Sequence, residues 1–322
     1  MAQTFDPAVT DAVVAGLLGG IDVEDGPSVE QLAVLRALTS HYLGRPDITL
    51  TDVTPLGPTD LAGLITDPKD RRRFHHLHVA LEAARHPQVP AQVAAVERYA
   101  SALEVAGPDL VLFRSLVEQG VKGAATDYRR FSQAMLPRRA EPSLVLDAFD
   151  PEAPEPELVA RLEAFDELPA DSLGQAYLRF YERTGLDLPG RDPARMNHFY
   201  MAHDMTHVIA GVATSAPAEI ALSGFMVAMD DNDVNFSALL ASLIIHEAGF
   251  GRPTSISQAE SASLTRPGAA ELLGQEMARG AQCTSDFSLV DHFALAPLPL
   301  SHVRAQFGVV APDDPDDGFH LW

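Results

Sequence analysis

One stretch, His203-Asp204-Met205-Thr206-His207, limits the fold of this chain more than any other, and Glu219 follows it after eleven intervening residues. In an α-helix successive residues are rotated by about 100°, so His203 and His207 lie one turn apart on the same face. Asp204 lies about 100° from His203 around the same helix. The pattern therefore predicts three metal-capable side chains on one arc of a helix.

The residues between this motif and Glu219 predict how the carboxylate joins the group. Gly211 favours the end of one helix, and Ser215 followed by Pro217 is typical of the start of the next. A short corner between two helices would bring all four side chains around one point. Two imidazoles and two carboxylates suit Zn²⁺ first, and Fe²⁺ or Mn²⁺ less well. The predicted metal ligands are His203, Asp204, His207 and Glu219.

The spacing alone leaves another interpretation open. His203 and His207 could be ordinary helix residues, and Glu219 a solvated carboxylate near a helix N-terminus, where negative charge is favourable. Asp204 also separates the motif from the metallopeptidase pattern His-Glu-x-x-His, because aspartate is shorter and can ligate the metal instead of activating water. A peptidase is therefore disfavoured.

Composition excludes several classes of partner. The chain has 322 residues, 46% of them hydrophobic, which is typical of a protein with a substantial buried core. Its formal net charge of −22 argues against nucleic acid as a partner and against electrostatic docking on anionic lipid. Cys283 is the single cysteine, so we expect a reducing, cytoplasmic location. The longest apolar run, Phe236 to Ile245, is too short to span a bilayer, so any membrane association is expected to be peripheral.

Hydrophobic periodicity predicts an all-α fold, because no segment alternates with period two over the length of a strand. Capping and periodicity predict helices that begin near Ser28, Asp67-Pro68, Pro90 and Ser172, and others over residues 195–210, 217–229, 236–250, 267–280 and 300–307. The predicted units are a helical bundle over residues 1–136, a Pro/Glu-rich linker over 137–157, a metal-binding helical domain over 158–310 and an acidic tail over 311–322. The tail is expected to be disordered, or an ordered extension held by Phe319 and Trp322.

The other histidine groups are interpreted as non-ligands. His198 is interpreted as a surface histidine, or as one that contacts a metal ligand without binding the metal itself. His246-Glu247 looks like half of a zinc motif, but position 250 is Phe. The remaining group is interpreted as a basic, solvated face that could meet phosphate or a partner protein, and it comprises His75, His76, His78, Arg71, Arg72, Arg73 and Arg85.

Residues 158–310 resemble the ubiquinone (coenzyme Q) biosynthesis protein 4 family, whose members carry a His-Asp-x-x-His motif, eleven residues and a Glu. Further matching positions are Leu168-Pro169, Ser172-Leu173-Gly174, Ala176-Tyr177, Phe180, Gly185-Leu186, Arg279-Gly280, Arg304 and Gly308. The resemblance implies an all-helical domain in which the four matched residues bind a structural or catalytic zinc ion. It also implies a prenylated aromatic quinone precursor in an apolar groove, with removal of the carboxylate at ring C1 and hydroxylation there. An older view makes the family an organiser of a biosynthetic complex.

The sequence departs from the family pattern close to the motif. Thr206 stands where members often have an aromatic residue, Ala218 where they often have Gly, and Val290-Asp291 where they usually have Trp-Glu. The ligand set is retained, while a different quinone or another isoprenoid lipid stays open as the substrate. Apolar residues near the motif are interpreted mainly as core, with some lining a groove, and they are Met196, Phe199, Tyr200, Val208, Ile209, Ile220, Leu222, Phe225 and Met226.

Residues 1–136 are more loosely similar to TerB-like helical domains. Glu24-Asp25-Gly26, the helix after Ser28 and the segment from Arg71 to Arg85 carry this similarity. It implies a helical bundle with a membrane-associated or metal-binding role.

Three functions remain open at the level of sequence. The favoured one is a zinc-dependent protein of prenyl-quinone biosynthesis that acts on ring C1 of a prenylated aromatic precursor. The second is a non-catalytic isoprenoid-lipid-binding or scaffold protein with a structural zinc, and the third is a metal-dependent hydrolase of another small molecule. Expected partners are a prenylated quinone precursor or other isoprenoid lipid, components of a biosynthetic complex, and further copies of the chain in a homo-oligomer.

Overall fold

The computed structural model describes residues 4–144, 154–192, 197–249 and 261–322. Within these ranges the chain forms α-helices with short π- and 3₁₀-helical turns and no β-strand, which confirms the predicted all-α fold. The helices are α1 (Thr10–Ile21), α2 (Val29–Ala37), α3 (Pro58–Leu64), α4 (Pro68–Ala83), α5 (Pro90–Ala102), α6 (Pro108–Met135), α7 (Pro156–Glu163), α8 (Leu173–Thr184), α9 (Phe199–Ala210), α10 (Ala216–Met229), α11 (Asp233–Ser242), α12 (Ala269–Gly280), α13 (His292–Leu295) and α14 (Leu300–Phe307). The two halves of α6 meet at Gly120, whose φ of 66° interrupts the helix.

Local capping explains where several helices begin. Ser28 and Gln31 form the predicted capping box at the start of α2, each side chain bonding the other residue's backbone N–H. Asp67 caps α4 by accepting a hydrogen bond from the backbone of Lys69. Ser172 caps α8 in the same way. The predicted start of the motif helix at residue 195 lies outside the described residues, which resume at residue 197.

Helix α10 lies between two hydrophobic cores. Its residues Ile220 and Val227 belong to a cluster with Phe74 and other apolar side chains of the N-terminal helices. Leu222 and Phe225 belong to a second cluster with apolar side chains of α8, α9 and α14. Side chains from both sides of the predicted linker thus share one core, and the division into two units stays a prediction.

Close packing fixes α10 against α12. A methyl group on Gly280 would lie 2.1 Å from the carbonyl oxygen of Phe225, and one on Gly224 would lie 2.6 Å from the side chain of Leu273. Only glycine permits this approach of the two helices at Gly280, because the obstacle there is backbone. The packing therefore positions the start of α10 against the rest of the C-terminal half.

The acidic tail is an ordered extension that runs beside the corner between α9 and α10. The backbone of Ala213 donates to the carbonyl of Phe319, and that of Leu321 donates to the carbonyl of Gly211, each at 2.8 Å. The ring of Trp322 lies 3.5 Å from the guanidinium of Arg304. That guanidinium donates to two carbonyls in the last turn of α9, at Val208 and Ile209. The tail thus braces the end of the helix that carries the motif.

The predicted solvated basic face is wrong for its histidines, which are buried. His75, His76 and His78 expose 2%, 3% and 0% of their surface. His76 stacks on the ring of Phe236 at 3.7 Å and pairs with the carboxylate of Asp231 at 2.9 Å. These contacts join residues far apart in the sequence, so the arginine-rich pattern of α4 could not indicate them.

One face of α4 carries buried polar groups without partners among the described residues. Both nitrogens of His78 and both carboxylate oxygens of Glu82 lack a hydrogen bond. His75 pairs with Asp109 at 3.0 Å. Burial, reinforced by the negative charge of Asp109, raises the pKa of Glu82 well above its usual range. The Glu82 side chain is therefore protonated in the folded protein.

No helix among the described residues combines the length and apolar character needed to cross a bilayer.

Replacing Glu82 with Gln should stabilise the protein increasingly as the pH rises. Because the pKa of Glu82 is raised by folding, the folded state binds a proton that the unfolded state releases above about pH 4.3. Each pH unit above that value then costs wild type about 1.4 kcal/mol of stability until the folded-state pKa is reached. Glutamine keeps the shape of the side chain and does not ionise.

The measurement is the free energy of unfolding in urea at intervals from pH 5 to pH 8. The matched control is Glu118→Gln, which alters an exposed carboxylate on α6 and should leave the pH dependence unchanged. A constant difference between Glu82→Gln and wild type across this range would contradict a protonated Glu82.

Candidate metal centre

The corner between α9 and α10 brings the motif and Glu219 together. Helix α9 ends at Gly211, whose φ of 73° is the left-handed conformation that glycine adopts without strain. Helix α10 begins after Ser215, with Pro217 in its first turn, as predicted. The predicted side-chain cap from Ser215 is wrong, because its hydroxyl is buried and makes no hydrogen bond.

Donor atoms of three side chains lie close to the spacing expected around one ion. The Nε2 atoms of His203 and His207 are 3.2 Å apart, and each lies 3.3 Å from a different carboxylate oxygen of Glu219. Donors about 2.05 Å from a tetrahedral zinc ion are separated by about 3.3 Å. The two histidines and Glu219 therefore match the donor spacing of a tetrahedral zinc site.

Asp204 adds the donor of a fourth side chain, a carboxylate oxygen, to the group. Donor atoms of His203, Asp204 and His207 all lie within 4.8 Å of one another, and this cluster could hold a metal ion. The other oxygen of Asp204 is engaged, because Oδ2 accepts a short hydrogen bond from the hydroxyl of Tyr181. That hydroxyl lies 3.2 Å from the hydroxyl of Tyr177. Two buried tyrosine hydroxyls in a row thus orient the carboxylate of Asp204.

The backbone orients His207 in a comparable way. Its Nδ1 lies 3.1 Å from the carbonyl oxygen of Val212, which can only accept, so Nδ1 carries a proton. Its Nε2 then faces His203 and Glu219 with a lone pair available for a metal. The ring also stacks on Phe180, with centroids 5.6 Å apart. The imidazole is therefore fixed in both position and tautomer.

The pKa values of the group reflect burial and mutual charge. Burial lowers the pKa of His203 to about 4, so this ring is neutral at pH 7. Burial raises the pKa of Asp204 to about 7. For His207 burial opposes protonation, but the charge of Glu219 outweighs it and raises the pKa. For Glu219 burial opposes ionisation, but the two histidines outweigh it and lower the pKa well below its usual range.

In the metal-free cluster, a proton on His207 and the negative charge of Glu219 stabilise each other. A divalent cation would replace that proton, since ligands bind metal in their deprotonated forms. The donor set and its spacing therefore fit a zinc ion, with both imidazoles neutral and both carboxylates ionised.

Arg139 reaches the cluster from outside the motif region, and no pattern in the sequence indicated it. It ends the 3₁₀-helical turn Leu136–Arg139, inside the predicted linker. Its Nη2 lies 3.4 Å from Nδ1 of His203, a contact that spans 64 positions of sequence. Glu141 in the same segment is buried and bonds the backbone and ring of His292. Residues 137–144 thus contribute to the C-terminal half, while residues 145–153 lie outside the described residues.

The other histidine candidates lie apart from the four predicted ligands. His198 is buried and pairs with Glu155 through a short contact. Glu247 is buried, pairs with His86 at 2.8 Å and accepts a hydrogen bond from the backbone of Leu264. Glu247 therefore joins distant segments of the chain, and its role as a non-ligand stays a prediction.

The apolar residues around the motif are mostly core. Of those predicted, all but two are buried, Tyr200 being partly exposed and Met196 lying outside the described residues. A narrow cavity of about 10 Å³ adjoins His203 and Arg139, which is room for about one water molecule. A larger cavity of about 480 Å³ adjoins His198, and its lining includes Glu155, Glu157 and Arg161.

Comparisons with known families and curated proteins found no match to this chain. A crystal structure from Nostoc punctiforme PCC 73102, described as a "putative ubiquinone biosynthesis protein", is similar over 75% of this chain and 98% of that chain. The sequence identity is 17% and the TM-score is 0.33.

Removal of the Tyr181 hydroxyl should weaken metal binding. In Tyr181→Phe the carboxylate of Asp204 loses the hydrogen bond that orients it, and loss of such a support typically lowers metal affinity about 10- to 100-fold. The dissociation constant for Zn²⁺ can be measured by competition with a chromophoric chelator. Tyr177→Phe removes a hydroxyl one hydrogen bond further away and should change the affinity much less. Equal affinities of Tyr181→Phe and wild type would rule out this role for Tyr181.

Proposed function

We propose that the chain binds zinc through His203, Asp204, His207 and Glu219 and acts in prenyl-quinone biosynthesis, on ring C1 of a prenylated aromatic precursor. The observation that supports this most directly is the 3.2–3.3 Å spacing between the two Nε2 atoms and the Glu219 oxygens. The resemblance of residues 158–310 to the coenzyme Q biosynthesis protein 4 family supports the choice of substrate and reaction.

Bound zinc would supply a Lewis acid that polarises a carboxylate or phenolic oxygen of the precursor. The protein contributes fixed donors to that site. Val212 fixes the tautomer of His207, and the hydroxyl of Tyr181 holds the carboxylate of Asp204 by a hydrogen bond to Oδ2. Four protein ligands fill a tetrahedral zinc site, so access of a substrate oxygen requires a fifth position or the departure of one ligand. Hydroxylation also requires an electron acceptor, because zinc is not redox-active.

A second function is a non-catalytic isoprenoid-lipid-binding or scaffold protein with a structural zinc. The observation that favours it is the tight packing around the cluster, where the adjoining cavity has room for about one water molecule. In this function the ion would join α9 to α10, and its binding energy would contribute to folding.

The test begins with the metal content of the purified full chain, measured by mass spectrometry, for wild type and His207→Ala. Wild type should hold about one zinc per chain and the variant much less, because the loss of one of four ligands weakens binding strongly. His302→Ala replaces an exposed histidine on α14 and should retain the zinc. Full zinc content in His207→Ala would contradict the proposed ligand set.

Activity then separates the two functions. A prenylated hydroxybenzoate is incubated with the zinc-loaded protein and an oxidant, and release of CO₂ and hydroxylated product is followed. Turnover by wild type that is lost in a folded His207→Ala supports the enzyme. Unfolding of His207→Ala, together with no turnover by wild type, supports the structural zinc.

A further inference from the structure

The geometry around His203 points to a site for an anionic ligand. We propose that Arg139 binds the carboxylate of the molecule that enters the zinc site, and so selects ligands carrying one negative charge. This inference rests on the proposed zinc site, and it adds a binding residue from a segment that precedes the region resembling the family.

Arg139 is a partly buried cation with no anionic partner among the residues that the structure describes. Among the described residues its polar contact is the one to Nδ1 of His203, and none of the carboxylates there lies within 4.0 Å of its guanidinium. The carboxylate of Glu219 acts on it only through space. Burial lowers the pKa of Arg139, although arginine remains protonated at neutral pH. Guanidinium groups that leave water are normally paired with carboxylates or phosphates, because desolvation of an unpaired charge is unfavourable.

Zinc binding would remove the contact that Arg139 has. A neutral imidazole carries one proton, and its other nitrogen offers a lone pair. When Nε2 of His203 binds the ion, the proton must lie on Nδ1, and two N–H groups then face each other across the 3.4 Å contact. Arg139 would lose its acceptor as the zinc site fills, and it would be free to bind an incoming ligand.

The net charge of the zinc-loaded site also favours a carboxylate as the ligand. The carboxylates of Asp204 and Glu219 balance the two positive charges of zinc, and neutral His203 and His207 add none. Arg139 leaves one positive charge uncompensated beside the ion. A carboxylate monoanion bound by the guanidinium would restore neutrality.

The cavity beside Arg139 has room for about one water molecule, so a larger ligand enters this point only when the cavity wall moves. Arg139 and His203 line the same narrow cavity, with Thr206, Met226, Val234, Ser288 and Leu289 completing its wall. Apart from Arg139, the ionisable side chain in this wall is His203, and the phenols of Tyr128 and Tyr200 also act electrostatically on the guanidinium. A ligand carboxylate would thus meet one cation and a largely uncharged wall.

Calorimetric titration of the zinc-loaded full chain tests the inference, with 4-hydroxybenzoate, the neutral 4-hydroxybenzamide and inorganic phosphate as probes. Wild type should bind the benzoate at least about 10-fold more tightly than the benzamide, and Arg139→Gln should lose about 10- to 100-fold in benzoate affinity. Arg139→Lys should recover part of that loss because it keeps the charge. Arg138→Gln is the matched control, since Arg138 is exposed and 3.9 Å from Asp233.

The outcomes distinguish this inference from the proposed function. Zinc content should stay at about one per chain in every arginine variant, so a loss of benzoate binding cannot come from a lost metal. Benzoate affinity that is equal in wild type and Arg139→Gln, or undetectable at millimolar concentration, would overturn the role of Arg139 and leave the zinc site standing. Tighter binding of phosphate than of benzoate would overturn the assignment of a carboxylate. Absence of zinc from wild type would instead contradict the proposed function.

Discussion

The Glu219 carboxylate between the two imidazoles of α9 is the interaction on which the rest of the site depends. It joins the first turn of α10 to the middle of α9, and each of its oxygens lies 3.3 Å from one of the two imidazole Nε2 atoms, which are 3.2 Å apart. Without a metal, the Glu219 carboxylate favours a proton on His207 and raises the pKa of that ring. The same positions suit a divalent ion, because a cation that displaces the proton meets donors already at the right separation.

Several parts of the fold hold that corner in place. Helix α10 packs against both hydrophobic cores, and Gly280 allows α12 to approach its backbone closely. At the other end of the corner, Arg304 binds the last carbonyls of α9 and is itself covered by the ring of Trp322. The acidic tail thus contributes to the position of α9, the helix that carries the motif, although the tail itself carries no predicted ligand.

Burial of polar groups takes two different forms in the two halves. Around the motif the titratable side chains face one another, and their charges offset the cost of leaving water. On α4, in contrast, Glu82 and His78 are buried without hydrogen-bond partners among the described residues, and burial itself keeps Glu82 protonated and lowers the pKa of His78 to about 3. The first arrangement is typical of a binding site, whereas the second is a polar region of a core held neutral by its surroundings.

Local sequence alone determined the helices and the ligand set. Caps such as Ser28 and Ser172, the one-turn spacing of the motif, and the corner at Gly211 act over about four residues, so their consequences can be inferred before any packing is known. Ser215 shows the limit of inference from local sequence. A residue of the right type occupies the cap position, yet its side chain makes no cap hydrogen bond.

Tertiary structure alone decided what surrounds those ligands. Arg139 meets His203 across 64 positions of sequence, and Tyr181 meets Asp204 across 23. The burial of His76 depends on Asp231 and Phe236, which lie more than 150 positions away. Such contacts depend on how whole helices pack, and helical periodicity carries no information about which distant side chain a given face will meet. The grouping of the four candidate ligands could therefore be predicted from the sequence, while the cation and the phenols next to them could not.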